Sequence, residues 1–231
     1  MLIYTVKLFM PTRKAQIQMN DKTSLPNHSL KLLWIILFFG VLTWSAVAPK
    51  EYFTWFLEVA PALIGFIILV TTYHKFPLST LTYNLILFHS IVLMIGGHYT
   101  YAEVPLFDTF AEWFGWGRNH YDKLGHFVQG FVPAAIAREL LLRLEVVKNE
   151  RWLVLFVLCF CLAFSALYEL IEWWTAVAVG EDAVAFLGTQ GYVWDTQSDM
   201  LLALIGSIVF LLAFRKWQNL SIKNLNSKNL L

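Results

Sequence analysis

The chain has 231 residues, of which 58% are hydrophobic and only 14% charged, whereas a soluble domain carries roughly a quarter charged residues. This composition excludes an ordinary soluble fold and is typical of a polytopic membrane protein embedded in a lipid bilayer. The net charge is +1 and the basic residues lie mostly in tails and short loops, which gives no support to nucleic-acid binding.

Six apolar stretches each approach the length of about 20 residues that a membrane-spanning helix needs. They cover residues 30–48, 54–73, 81–99, 122–143, 152–174 and 195–214. We therefore predict an all-α polytopic membrane protein with about six transmembrane helices in one bundle. No linker or tandem repeat divides the chain, so we expect one transmembrane domain over residues 30–215. Residues 1–29 and 216–231 are then its two tails.

The predicted orientation follows from the basic residues. Six spans place both termini on the same side of the membrane, and an excess of Lys and Arg marks the cytoplasmic side. Most of the 17 Lys and Arg residues lie in the two tails or in the loops on the same side as the tails. We therefore predict that both termini, and hence both tails, are cytoplasmic.

Three of the predicted spans carry a pair of ionisable side chains near one end. The pairs are Asp122 with His126, Glu169 with Glu172, and Asp195 with Asp199. Because residues three or four apart share a helix face, each helix presents a short polar edge. The predicted orientation brings all three edges to the outer leaflet, where Glu58 of the second span is a further acid. Ionisable groups beside a bilayer cost several kcal/mol unless they find partners or water, so these edges predict one polar site.

The chemistry of these residues favours a divalent metal ion of unspecified identity as the cofactor. Histidine together with carboxylates binds such ions, which activate water or polarise a phosphoryl or carbonyl oxygen. The predicted metal ligands are Asp122, His126, Glu169, Glu172 and Asp199. Two of them, His126 and Glu172, are also the candidate catalytic residues. Gln129 is a candidate for orienting His126 by a hydrogen bond.

Structural alternatives apply to several of these residues. Glu169 and Glu172 would repel each other if both were ionised, so a proton, a cation or a partner such as Lys123 or Arg118 is needed. Asp195 alone is better explained as a helix cap. Near the other end of the fourth span, residues 138 and 139 are an arginine and a glutamate that we expect to snorkel or to pair locally.

Residues 100–121 form a long loop with many aromatic side chains and few charges. Aromatic rings favour the membrane interface, where one edge can remain in contact with water. We therefore predict that this loop lies on the outer surface of the membrane or dips into it.

Three motifs carry a resemblance to a known family. They are RNHYDKLGHFVQGFVP at 118–133, SALYELIEW at 165–173, and FLGTQG at 186–191 followed by WDTQSDM at 194–200. Together they resemble the YjdF-type bacterial inner membrane proteins, a family catalogued as a domain of unknown function. The resemblance implies a multi-pass protein of the bacterial inner (plasma) membrane with six or so helices, and it implies no activity. The run at 122–126 is also similar to the start of a helix in VanZ-like membrane proteins.

Three classes of function remain open from the sequence. The first is a metal-dependent or acid/base hydrolase or transferase that acts on a lipid or an envelope precursor, although the chain has no recognised catalytic signature. The second is an ion- or proton-coupled transporter, although transporter sites usually lie near the membrane midplane. The third is a structural or accessory membrane protein whose polar cluster only ties the helices together.

Overall fold

The computed structural model of the chain describes residues 28–180, 184–187 and 190–227. The predicted N-terminal tail at 1–29 lies outside the described residues except for its last two positions, and so do the last four residues of the predicted C-terminal tail. Within the described ranges all regular secondary structure is helical, which confirms the all-α fold class.

The helices are numbered here in chain order. They are α1 (His28–Ala46), α2 (Tyr52–Thr72), α3 (Thr80–Tyr99), α4 (Pro105–Phe114), α5 (Tyr121–Arg143), α6 (Glu150–Val179), the short α7 (Val184–Leu187), α8 (Asp195–Val209) and α9 (Arg215–Ser227). A 3-10 turn at Tyr101–Glu103 connects α3 to α4. A π-helical turn at Phe210–Phe214 connects α8 to α9, so the last predicted span continues well beyond residue 214.

Five helical segments of the described chain are long and apolar enough to cross a membrane. They are α1, α2, α3, α6 and the continuous segment Asp195–Leu225 formed by α8 and α9. Helix α5, which covers the fourth predicted span, is not among them; charged residues, glycines and a proline interrupt its apolar sequence. The multi-pass helical architecture is therefore confirmed, whereas the count of six crossings stays a prediction.

Successive long helices run in opposite directions. The Trp55 indole near the start of α2 donates a hydrogen bond to Ser45 Oγ at the end of α1, at 3.1 Å. The Tyr121 hydroxyl at the start of α5 donates to the carbonyl oxygen of Val92 in the second half of α3, at 2.9 Å. As a result, the starts of α2, α5 and α8 lie beside the ends of α1, α3 and α6. We call this end of the bundle the site end and the other the opposite end.

Helix α5 occupies the centre of the bundle, packed between α3, α6 and α8. Its contact with α8 is backbone to backbone, because glycines take the facing positions. A Cβ atom on Gly130 would collide with the backbone of Ala203, and one on Gly206 would collide with the backbone of Phe127. The absence of side chains at these two positions therefore allows the close crossing.

At the opposite end, the carboxylate of Glu139 is completely buried and accepts hydrogen bonds from several donors. The backbone N–H and the hydroxyl of Ser79 lie at 2.6 and 2.7 Å, and the Thr82 hydroxyl lies at 2.6 Å. Arg143, one turn further along α5, pairs with the same carboxylate at 2.8 Å. The predicted local pairing of Glu139 is therefore present, and it includes partners on α3.

Arg138 does not snorkel to the membrane surface. It is buried, and its guanidinium donates to Gln218 Oε1 and Asn219 Oδ1 of α9, both at 2.8 Å. Gln218 in turn donates to the carbonyl oxygen of Ala135 at 2.7 Å. The described part of the predicted C-terminal tail therefore continues the last helix and packs against α5.

Substituting Gly130 by alanine is expected to lower the unfolding temperature of the detergent-solubilised protein. The new methyl group would push α5 away from α8, and overpacking of this kind costs about 1–3 kcal/mol. Gly65→Ala in α2 is the matched control, since nothing lies within 4 Å of a Cβ added there. It should leave stability unchanged or raise it slightly. The unfolding temperatures are measured by circular dichroism. Equal values for the two variants would contradict the close crossing of α5 and α8.

Candidate functional site

Acidic and histidine side chains from four helices converge at the site end. They are Glu58 from α2, Asp122 and His126 from α5, Glu169 and Glu172 from α6, and Asp195 and Asp199 from α8. All are buried except Asp122, which is partly buried. The structure thus brings together the three pairs that the sequence predicted to meet, because the starts of α5 and α8 lie beside the end of α6.

His126 stands at the centre of this group. Its Nε2 atom lies 3.4 Å from Asp122 Oδ1, and its Nδ1 atom lies 3.0 Å from Gln129 Oε1. Glu169 Oε1 is 3.8 Å from Nδ1. A neutral imidazole has one donor and one acceptor nitrogen, yet both nitrogens of His126 face oxygen atoms. A proton or a cation therefore lies between Nε2 and Asp122: a second proton on the ring, a proton on the carboxyl group, or an ion that both atoms share. The predicted contact between Gln129 and His126 is present.

Three of the five predicted ligands can meet at one point. One donor atom each from Asp122, His126 and Asp199 lies within 4.8 Å of the others. Metal–ligand bonds of about 2.0–2.2 Å place the donors of one ion roughly 3–4 Å apart, so small side-chain rotations suffice to bring these atoms onto a common ion. Glu169 and Glu172 lie outside this group of three.

Glu169 and Glu172 flank the group from α6. Glu169 is buried, and its Oε1 atom accepts no hydrogen bond from any described residue. Glu172 is also buried and interacts electrostatically with Glu169, His126 and Asp122. A buried carboxylate oxygen without a donor is costly, so this part of the cluster is not saturated by the protein itself.

The two cations proposed from the sequence as partners of these glutamates bind elsewhere. Arg118 pairs with Asp195 at 2.8 Å, and Lys123 donates a hydrogen bond to Ser198 Oγ at 3.1 Å. Asp195 is the first residue of α8, where a negative charge complements the helix dipole, but it makes no side-chain cap. Its ion pair with Arg118 gives it a structural role.

Two tyrosines at the site were missed by sequence reasoning. The Tyr168 hydroxyl donates to Glu58 Oε2 at 3.1 Å, and Tyr101 interacts with the same carboxylate. The Tyr101 ring fits against Gly96 and Gly125, where no Cβ could be accommodated. Burial, followed by the charge of Glu58, raises the pKa of Tyr101 well above its usual range, so its phenol stays a neutral donor. In the sequence, the signal for this arrangement was the pair of glycines, which leave room for a ring between α3 and α5.

His120 precedes α5 and lies at the edge of the site. Burial lowers its pKa, and the nearby charges of Arg118 and Lys123 lower it further. His98, at the end of α3, packs against Trp44 and contacts the carbonyl oxygen of Ser45 at 3.1 Å. His98 therefore belongs to the packing of α1 against α3.

Known proteins resemble this chain over most of its length. The family described as "Predicted membrane protein (DUF2238)" matches residues 30–219. The inner membrane protein YjdF of Escherichia coli strain K12 is 49% identical over 177 residues, which cover 75% of this chain and 85% of that protein. No solved structure matches the chain significantly. All the acids described above lie inside the matched region.

Replacing Glu172 by glutamine is expected to raise the unfolding temperature of the metal-free protein. The amide keeps this buried side chain neutral among neighbouring carboxylates whatever the protonation state of the others, a gain of about 1 kcal/mol. Asp195→Asn should lower the unfolding temperature, because it removes the ion pair between Asp195 and Arg118.

Glu112→Gln makes the same chemical change at an exposed position of α4 and should have no effect. Thermal unfolding of the three variants in EDTA provides the comparison. A loss of stability in Glu172→Gln as large as that in Asp195→Asn would show that the site-end carboxylates are structural ties.

Proposed function

Since the chain belongs to the DUF2238 family of membrane proteins, which includes the inner membrane protein YjdF, we propose that it is a metal-dependent hydrolase or transferase of the bacterial inner membrane. Its substrate is a lipid or an envelope precursor. The observation that carries the proposal is the grouping of Asp122, His126 and Asp199, whose donor atoms lie within 4.8 Å of one another.

The contact between His126 and Gln129 supports this proposal. When Gln129 Oε1 accepts a hydrogen bond from Nδ1–H at 3.0 Å, the lone pair of Nε2 points toward Asp122. An imidazole oriented in this way by a hydrogen bond to its other nitrogen is the usual arrangement of a histidine metal ligand. A divalent ion would supply a Lewis acid and would activate a bound water molecule.

The two glutamates of α6 have distinct places in the proposed site. Glu172 acts as the base that accepts a proton from the attacking water, and Glu169 adds negative charge beside His126, 3.8 Å from Nδ1. The Oε1 atom of Glu169 lacks a donor among the described residues. A cation bound to the cluster would reduce the cost of burying this oxygen. His126 is then both a ligand and part of the catalytic group.

One observation favours a structural or accessory role as the alternative. A doubly protonated His126 would satisfy Asp122 and Gln129 together without any ion. In that case the cluster would hold α5 against α6 and α8, and no chemistry would follow. Metal binding distinguishes the two functions.

We expect the purified protein to bind one divalent ion per chain, measured by elemental analysis and by calorimetric titration with Zn²⁺, Mn²⁺ and Mg²⁺ after EDTA treatment. Asp199→Asn should weaken binding by about 100-fold or more, because even the loss of a residue that only orients a ligand costs about 10–100-fold. Gln129→Ala should fall within that smaller range.

Glu112→Gln, at an exposed position of α4 at the site end, is the control and should bind as tightly as the unaltered protein. Absence of bound metal, together with an unfolding temperature that falls in His126→Ala, would favour the structural role.

We further propose that α5 is the sixth membrane crossing and that both termini are cytoplasmic. Helix α5 has 23 residues, about 34 Å at 1.5 Å per residue, which is long enough to cross the hydrocarbon layer. Because its neighbours bury it, it needs no continuous apolar surface. The alternating helix directions also put the start of α1 and the end of α9 at the opposite end.

Reporter fusions test this orientation. Green fluorescent protein fused after the last residue is expected to fluoresce, and alkaline phosphatase at the same position to be inactive, because both reporters then lie in the cytoplasm. Phosphatase inserted in the exposed stretch at Gly115 should be active. An active phosphatase at the C-terminus would contradict the proposed orientation.

A further inference from the structure

An open cavity of about 480 Å³ lies at the site end beside the acid cluster. Among the residues that the structure describes, its wall includes the side chains of Arg118, His120, Lys123 and Tyr192 and no carboxylate. The described wall therefore carries two cationic side chains, one of which, Arg118, also pairs with Asp195 at 2.8 Å.

The ring of Tyr192 contacts two of these cations. The Arg118 guanidinium lies 4.6 Å and the Lys123 ammonium 5.0 Å from the ring centroid. Cation–π contacts attract each charge to the ring, but the two like charges repel each other. An anion in the cavity would offset this repulsion.

The cavity adjoins the proposed metal site through the same two helices. Lys123 follows Asp122 directly on α5, and its ammonium group donates to Ser198 Oγ, next to Asp199 on α8. A ligand anchored in the cavity therefore places its neighbouring atoms beside the acid cluster.

Exposed aromatic side chains lie close to the cavity. Helix α4 exposes Trp113 and Phe114, at 72% and 65% of their surface. The Phe114 ring stacks on Trp116 with centroids 5.1 Å apart, and Trp116 packs on His120 at 4.8 Å. Exposed aromatic side chains favour the membrane interface, where lipid phosphates lie. These rings thus form a continuous row from the exposed surface of α4 to His120 in the cavity wall.

We propose that this cavity binds the phosphate group of an anionic amphiphile and thereby positions it at the acid cluster. This inference rests on the proposed function, whose substrate class it specifies. A guanidinium group matches phosphate oxygens in geometry and an ammonium adds a point charge, so the pair suits phosphate. A soluble phosphate ester shares this chemistry, and the experiment below separates the two sources.

Binding of short-chain lipids to the full-length protein in a neutral detergent tests the proposal. The probes are dihexanoyl phosphatidic acid, dihexanoylglycerol with the same tails and no phosphate, and glycerol 3-phosphate, each titrated by calorimetry in EDTA. The phosphatidic acid is expected to bind and dihexanoylglycerol not. Tighter binding of phosphatidic acid than of glycerol 3-phosphate identifies a lipid ligand, and equal binding identifies a soluble ester.

Two cavity variants and one control complete the test. Lys123→Gln should weaken phosphatidic acid binding about tenfold or more, the size of one charge-assisted hydrogen bond. Tyr192→Leu keeps both cationic residues but removes the ring that they contact. It should also weaken phosphatidic acid binding. Lys148→Gln, in an exposed loop at the opposite end, should bind like the unaltered protein.

Equal affinity for the lipids with and without phosphate, or unchanged affinity in both cavity variants, would overturn the proposal. The acid cluster is tested separately by Asp199→Asn, which should retain phosphatidic acid binding in EDTA. Phosphate binding without metal binding would refute the proposed metal-dependent function alone, and metal binding without phosphate binding would refute the cavity alone.

Discussion

The backbone contact between α5 and α8 is the constraint on which the other features depend. Helices with ordinary side chains between them lie about 8–10 Å apart, and glycine at Gly130 and Gly206 removes those side chains. The close approach brings Asp122 and His126 on one helix within reach of Asp199 on the other. It also surrounds α5 with protein, so every polar group on that helix must find its partner inside the bundle.

The two ends of α5 meet this requirement differently. At the opposite end, Glu139 has donors from Ser79, Thr82 and Arg143, and its charge is fully accommodated. At the site end, His126 faces acceptors with both nitrogens, and Glu169 keeps an oxygen without a donor among the described residues. A polar group whose hydrogen bonds are all made within the protein stabilises the fold, whereas a buried oxygen without a donor needs a proton, a water molecule or a bound cation. This contrast is the physical reason for assigning function to one end.

The sequence alone predicted the helical class and the convergence of the three pairs, since span length, residue spacing and basic residues determine them. It could not predict which partner each charged side chain would contact. Arg118 pairs with Asp195 and Lys123 donates to Ser198, because these contacts depend on how the loop before α5 and the starts of α5 and α8 pack together, which residue spacing does not determine. The sequence analysis did not identify Tyr101 as a site residue, because it lies in a 3-10 turn, where α-helical residue spacing does not predict which side chains are neighbours. The sequence also predicted a span at residues 122–143, but α5, which covers it, is not among the five helical segments of the described chain that are long and apolar enough to cross a membrane.

Between the two polar ends lies a layer of tightly packed apolar side chains. Val128, Val132, Val157 and Phe210 are each 2% exposed or less, and they belong to one continuous core cluster. These apolar side chains carry no hydrogen-bonding groups that could relay a proton, so the layer would act as an electrical insulator. Protons taken up or released at the acid cluster would therefore exchange with one aqueous compartment only. If the acid cluster exchanges protons as proposed, the apolar layer would keep that exchange from dissipating the electrochemical gradient across the membrane.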